Sequence, residues 1–272
     1  MMPKRPLKTT TVIDSFSLTP NMQRVVLQGE ELKQLQMHDL GGYIKLIFHP
    51  EGHTDVSNLA DGERRIMRTY TISELDVAHG KISIDFVKHE AEHTDENRNI
   101  RVQDQGGYAI RWAMKAKVGD HISIGGPGNS QDIDFNADQL FLVADMTAIP
   151  ALSAKITALK PDAVGDVIVQ LTSEQDIPNW TLPQGMALHK VIGHEPSQLS
   201  DCVINIASKN SDIAIWCACE FTAMKTIRSH FNDHNLIQRH KSYFSSYWKQ
   251  GVTEDGHKMI KREDAEGLTT LL

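Results

Sequence analysis

The chain is 272 residues long, 40% hydrophobic and 23% charged, with 18 Gly and 10 Pro. That composition is ordinary for a globular protein; it excludes a disordered, collagen-like or coiled-coil chain and allows one large domain or two modest ones. The formal net charge of −7 argues against a general nucleic-acid or anionic-membrane binder.

The opening MMPKRPLKTTTVID carries basic residues with no apolar run behind them, so it is not read as a secretory signal. Thr10–Leu18 alternates apolar and polar residues, and Pro20-Asn21 turns it into a second strand, Met22–Leu27. Tyr43–Phe48, Arg68–Ser73, Lys81–Val87 and His121–Ile124 read as further short strands between Gly, Pro, Asn and Asp punctuation. So many short strands predict an antiparallel barrel or sandwich. One helix interrupts them, Tyr108–Lys117, opened by Gly106-Gly107 and closed at Gly119. Glu90–Gln105 has almost no apolar content and is expected to be a solvated loop. Gly125-Gly126-Pro127-Gly128-Asn129-Ser130 reads as a turn or linker and divides the chain into domains 1–130 and 131–272.

Gln139–Ala144 (QLFLVA) is a continuous apolar run, as expected of a strand buried on both faces. Helix Thr147–Leu159, strands Asp166–Leu171 and Ala187–Ile192, helix Pro196–Ile206, strand Ile213–Cys219, helix Phe221–Asn232 and strand Lys241–Tyr247 follow. This alternation predicts a parallel sheet with crossover helices, the pattern of a nucleotide-binding domain. No window approaches the ~20 apolar residues of a membrane-spanning helix. Cys217 and Cys219 alternate along one strand and share a face. With Cys202 they read as small buried residues in a reducing compartment, so a cytoplasmic location is expected.

Three stretches could carry chemistry. On a strand, Arg68 and Tyr70 point to one face and Thr69 and Thr71 to the other. Such an Arg can grip a phosphate while the Tyr stacks on a flat ring, although a snorkelling surface pair has the same spelling. Gly106-Gly107 ahead of Tyr108 can bare backbone N–H groups for an anion such as pyrophosphate, or be a plain Gly turn into a helix. Asp145-Met146-Thr147-Ala148-Ile149-Pro150 follows the first buried strand, where open parallel sheets bind ligands; Thr147 is equally a helix N-cap. No G-x-G-x-x-G is present. Among the 13 histidines, His230 and His234 are four apart on a helix, and His89 and His93 border the charged stretch. No third ligand is spaced convincingly, so no metal is expected.

In this order and on these elements, the pieces resemble the siderophore-interacting protein family of flavin-dependent ferric-siderophore reductases, a branch of the ferredoxin–NADP reductase superfamily. The matching stretches are Lys45–Phe48, Arg68–Thr71, Asp85–His89, Arg111–Ala113 with Val118–Asp120, Gly126–Gly128, Asp145–Ala151, Trp216–Glu220 and Ser246–Lys249. The resemblance implies a six-stranded antiparallel FAD-binding β-barrel followed by an α/β parallel-sheet NAD(P)H-binding domain. It implies that Arg68 holds FAD phosphate or ribityl oxygens, that Tyr70 packs on the isoalloxazine, and that Thr71 bonds near its redox nitrogen. Thr69, Asp85, Val87 and His89 would border the cofactor, and Ala109, Ile110, Arg111 and Trp112 would present backbone donors to its pyrophosphate. Thr147 would meet the flavin edge, and Tyr247 and Trp248 would cover the face that the nicotinamide enters. Asp145, Thr147, Glu220 and Tyr247 would line the nucleotide site. The chain departs from the family at Ala144 and Met146 (often Gly and Glu), at Cys219 (Gly) and at Gly128 (often Arg).

The implied reaction passes a hydride from NADH or NADPH to FAD and single electrons from FAD to Fe(III) in a hydroxamate or catecholate siderophore, releasing Fe(II). The protein need not ligate iron. Reduced ferredoxin is another possible donor, and a monomer is expected. An anionic chelate calls for cations, with Lys45, Lys115 and Lys117 as candidates. The charge distribution permits this. With 90–104 set aside, residues 1–130 are net +2, whereas residues 131–272 are net −6. The stretch Thr172-Ser173-Glu174-Gln175-Asp176, where a 2′-phosphate would need Arg or Lys, leans towards NADH; Lys190, Lys209 or Arg228 could still approach. The alternatives are a general flavin or ferredoxin-type reductase, and a flavin-containing siderophore-binding protein with little turnover.

Overall fold

The computed structural model describes residues 7–59, 63–88, 107–128, 132–206, 213–238 and 241–270. The chain forms two compact units that divide near residue 130.

The first unit is a closed barrel of β1 (Lys8–Thr19), β2 (Met22–Gln28), β3 (Tyr43–Phe48), β4 (Ile66–Asp76), β5 (Lys81–Val87) and β6 (His121–Gly128). The strands close in the order β1-β2-β5-β4-β3-β6, all neighbours antiparallel. Alternating residues such as Val25 and Leu27, Ile44 and Leu46, and Ile82, Ile84 and Phe86 fill the interior. Helix α1 (Tyr108–Ala113) adds Ala109, Ile110 and Ala113 to that core. Two expectations need correction. Helix α1 has six residues, not ten, because the chain turns away after Met114 and Lys115 bond back to Ile110 and Trp112. Gly125–Gly128 is not a linker but the end of β6. A register shift against β3, between Tyr43 and Lys45, takes up the cis Gly126–Pro127 peptide. A bulge is where a strand tolerates a residue that cannot donate. The charged stretch 90–105 lies outside the described residues, as do His89 and His93.

The second unit is a parallel sheet of β7 (Gln139–Ala144), β8 (Val164–Leu171), β9 (Gly185–Ile192), β10 (Ile213–Glu220) and β11 (Ser242–Trp248), in the order β11-β10-β7-β8-β9. Helix α2 (Ile149–Thr157) covers one face, on Leu140, Leu142, Ala214, Trp216 and Ala218. Helices α3 (Pro196–Ile206) and α4 (Phe221–Asp233) cover the other, on Phe141, Val143, Ile215, Cys217 and Cys219. Every residue of β10 is therefore buried. Cys217 and Cys219 do share a face, with their free thiols 3.8 Å apart.

Helix α5 (Glu254–Thr270) had no sequence signal, because it has little apolar pattern to read. Polar bonds dock it. His257 Nε2 meets Ser246 Oγ at 2.7 Å, Lys261 Nζ donates to the Ser246 carbonyl at 2.9 Å, and Arg228 pairs with Asp264 at 2.8 and 2.6 Å. Among the described residues, no helix is long and apolar enough to cross a membrane.

Candidate functional site

In the barrel unit, β3 and β4 set Lys45 opposite Thr69, Leu46 opposite Arg68 and Ile44 opposite Tyr70. Arg68 and Tyr70 thus share the inward face, while Lys45 is outside, its Nζ on Thr69 Oγ1 at 3.2 Å. Tyr70 packs on Phe86 with ring centroids 4.4 Å apart. The aromatic row continues through Trp112 and Phe48 to Tyr108 at successive separations of 6.0, 6.2 and 6.4 Å. At its end, the guanidinium groups of Arg68 and Arg111 lie 5.3 and 5.4 Å from the Tyr108 ring. The π face attracts each cation. Tyr108 Oη donates to the Pro50 carbonyl at 3.0 Å. A cleft of about 250 Å³ opens here, lined by Glu51, Gly52, Tyr108, Arg111, Trp112 and Lys115.

Local chemistry explains how α1 enters this site. Gly107 takes φ +80°, a left-handed turn that a side chain would resist, and α1 begins directly after it. Arg111 N–H is spent on the Gly107 carbonyl at 2.9 Å, and Ala109 and Ile110 turn their side chains into the core. The guanidinium groups of Arg68 and Arg111 are cations that the site offers an anion.

Other expected residues fall in different settings. Asp85 faces Arg24 across β5 and β2 and takes two hydrogen bonds from it, at 2.7 and 2.8 Å; this carboxylate is committed to an ion pair. Val87 ends β5 opposite Met22, and Thr71 is buried opposite Tyr43. Lys115 lines the cleft, whereas Lys117 is exposed in a turn closed by its N–H on Asp120 Oδ2 at 2.9 Å. At Gly128, a Cβ would sit 2.2 Å from Tyr43, so the tyrosine ring takes the space a side chain there would need.

In the second unit, Asp145, Glu220 and Trp248 come together at the carboxyl ends of the adjacent strands β7, β10 and β11. Trp248 Nε1 donates to Asp145 Oδ2 at 2.7 Å. Thr147 donates to Asp145 Oδ1 through its N–H at 2.9 Å and its hydroxyl at 2.5 Å. Asp145, not Thr147, is therefore the cap of the turn that leads into α2. Burial pushes the Asp145 carboxyl up, opposed by the bonds from Thr147 and Trp248. Glu220 caps α4, accepting from the N–H groups of Thr222 at 2.5 Å and Ala223 at 3.1 Å and from Gln250 N–H at 3.3 Å. Tyr247 packs on the α2 side of the sheet, and burial, then Tyr243, push its hydroxyl up. The Asp145–Trp248 bond spans 103 positions and has no local sequence signal. In the acidic loop, Asp176 is buried and accepts from Ser173 N–H at 3.0 Å. Of the basic residues that could approach, Arg228 is engaged by Asp264, Lys190 is exposed on β9, and Lys209 lies outside the described residues.

A six-stranded antiparallel barrel followed by a five-stranded parallel sheet, with polar groups at the sheet's carboxyl end, defines the ferredoxin-reductase-like two-domain fold. Residues 11–131 match the family model of a siderophore-interacting FAD-binding domain, and residues 137–251 match that of a siderophore-interacting protein. The chain belongs to the siderophore-interacting protein family. It is similar to the ferric vibriobactin reductase ViuB of Vibrio cholerae, at 24% identity over 88% of each chain. Among solved structures it resembles the siderophore-interacting protein SipS of Aeromonas hydrophila (TM-score 0.81, 24% identity, 96% of this chain and 98% of that one). It also resembles a siderophore utilization protein from T. fusca (TM-score 0.74, 26% identity, 93% and 98%).

Proposed function

We infer that the chain is an FAD-dependent ferric-siderophore reductase. The observation that carries this reading is the pairing of Arg68 and Arg111 over one tyrosine ring, at 5.3 and 5.4 Å, at the end of an aromatic row. These residues fit FAD, whose pyrophosphate suits two forked cations and whose flat rings suit aromatic surfaces. Bound FAD would supply the redox chemistry, taking a hydride from a reduced nicotinamide and giving its two electrons singly to Fe(III).

The chain's own residues bind and orient. Arg68 and Arg111 hold the phosphates, and Tyr70, backed by Phe86, sets the plane of the flavin ring. Thr71 and Thr69 offer hydroxyls on the same strand. Lys45 and Lys115 draw in an anionic chelate. Asp145 and Glu220, fixed by their N–H donors, hold Thr147, Trp248 and the start of α4 in place around the nucleotide. The loop 172–176 carries no cation, which favours NADH over NADPH, and reduced ferredoxin remains the other donor to test. Fe(III) is substrate: on reduction it binds hard oxygen ligands more weakly and leaves. The expected setting is a cytoplasmic monomer.

The test is anaerobic spectroscopy of the FAD-loaded protein. NADH should bleach the flavin band, and a ferric hydroxamate or catecholate should restore it, with two ferrous ions trapped per NADH oxidised. A protein that binds the chelate but is bleached by neither nucleotide nor reduced ferredoxin would overturn the reading in favour of a binding protein. Arg68→Ala should weaken FAD binding by about 1.5–3 kcal/mol, the loss of a charged hydrogen-bond donor. Lys45→Ala should weaken chelate binding and leave bound FAD intact.

A further inference from the structure

The turn after β3 gathers side chains that the reading above does not use. His49 N–H donates to the His53 carbonyl at 2.8 Å, and Gly52 N–H donates to the His49 carbonyl at 2.9 Å. Gly52 takes φ +95°, a left-handed conformation that favours glycine. This tight His49-Pro50-Glu51-Gly52-His53 turn brings both imidazoles to one side. Their rings stack with centroids 4.2 Å apart and planes 14° apart. Two carboxylates close on the pair just beyond hydrogen-bond length. Glu63 Oε2 is 3.7 Å from His49 Nε2, and Glu51 Oε2 is 3.6 Å from His53 Nε2. Ligand atoms of His49, Glu51 and His53 lie within 4.8 Å of one another. With Asp55, Asn58 and Glu63 they line a cleft of about 420 Å³.

We propose that this turn binds one divalent first-row transition-metal ion through His49, His53 and Glu51, with Glu63 as an additional oxygen donor. Imidazole with carboxylate suits Zn²⁺, Fe²⁺, Co²⁺ or Ni²⁺, whereas Mg²⁺ and Ca²⁺ prefer oxygen ligands alone. Ligand bonds of about 2.0–2.2 Å put the ligand atoms roughly 3–4 Å apart, so the cluster must contract by about 1 Å. The side chains of Glu51 and His53, 76% and 49% exposed, are free to swing inwards. His49, 9% exposed, is the fixed anchor. Its Nδ1 accepts from Glu51 N–H at 3.2 Å, which leaves Nε2 facing the carboxylates. Ligation at Nε2 moves the ring proton to Nδ1 and gives up that long contact.

The test needs no turnover, so it stands apart from the reductase reading. Chelator-treated, FAD-loaded protein is titrated with Zn²⁺ by calorimetry, and with Co²⁺ by visible absorption. One Zn²⁺ per chain in the micromolar range or tighter, and the bands of nitrogen-ligated Co²⁺, are expected. His53→Ala and Glu51→Gln, both exposed substitutions, should each weaken Zn²⁺ at least about tenfold. His234→Ala, which removes half of the tilted His230–His234 pair on α4, should change nothing. No Zn²⁺ uptake, affinity untouched by His53→Ala and Glu51→Gln, or loss of binding in His234→Ala would each overturn the proposal.

Discussion

Arg24→Met decides whether Asp85 serves the fold or the cofactor. Arg24 and Asp85 stand directly opposite on β2 and β5, joined by two bonds of 2.7 and 2.8 Å, with side chains only 12% and 5% exposed. Removing the arginine leaves a buried carboxylate without its counter-ion, a loss of about 3–5 kcal/mol. Glu74 also pairs with Arg24 but is 62% exposed, so it stays hydrated and adds little. At roughly 3–4 °C per kcal/mol for a unit of this size, Tm should fall by about 9–20 °C. The double variant Arg24→Met/Asp85→Leu removes both charges and should recover most of that loss. Scanning calorimetry on FAD-stripped protein keeps ligand stabilisation out of the comparison. FAD affinity is then read by fluorescence titration. If Asp85→Leu loses FAD at least tenfold with Tm unchanged, and the double variant is no more stable than Arg24→Met, the ion pair is not what Asp85 is for.

Three further outcomes follow from the second unit. Trp248→Phe removes the Nε1 donor from the buried Asp145 carboxylate, so stability should fall by about 1.5–3 kcal/mol; an unchanged Tm would show the bond contributes nothing. Glu220→Ala strips the acceptor from the first N–H groups of α4 and should cost about 1–2 kcal/mol, with Glu220→Gln recovering part of it; equal losses in the two variants would refute the capping role. Burial, and after it Lys261, lower the His257 pKa to about 4, below the ordinary ~6.5. As pH falls, the unfolded chain takes the proton first. Stability should therefore be full above about pH 6.5 and decline by about 2 kcal/mol towards pH 4. Urea unfolding across that range should slope for the parent protein and flatten in His257→Gln; identical slopes would remove His257 as the cause.

The strands were legible because burial writes itself into spacing. YIKLIF and KISIDFV alternate over a core that lies on one side, while QLFLVA and IAIWCAC run apolar because both faces of the parallel sheet are covered. The R-x-Y-T strand showed which side chains share a face, and the register of β3 on β4 bears that alternation out. Gly125–Gly128 misled, because glycine and proline mark a turn only when no neighbouring strand is there to pair with them. Helix α5 was silent, because it is held by His257, Lys261 and Asp264 rather than by an apolar stripe.

The composition and spacing alone therefore determined the two-unit plan and the residues that bear charge or rings. Only the tertiary structure decided what each of them is engaged with. Asp85 is bound to Arg24, Asp145 to Trp248, and Glu220 to the first turn of α4. It alone folded His49 and His53 face to face. The reason is physical. Periodicity records which side of an element is dry, a property of each residue in turn, whereas a hydrogen bond or a ligand set is a relation between distant residues that exists only once the chain has closed.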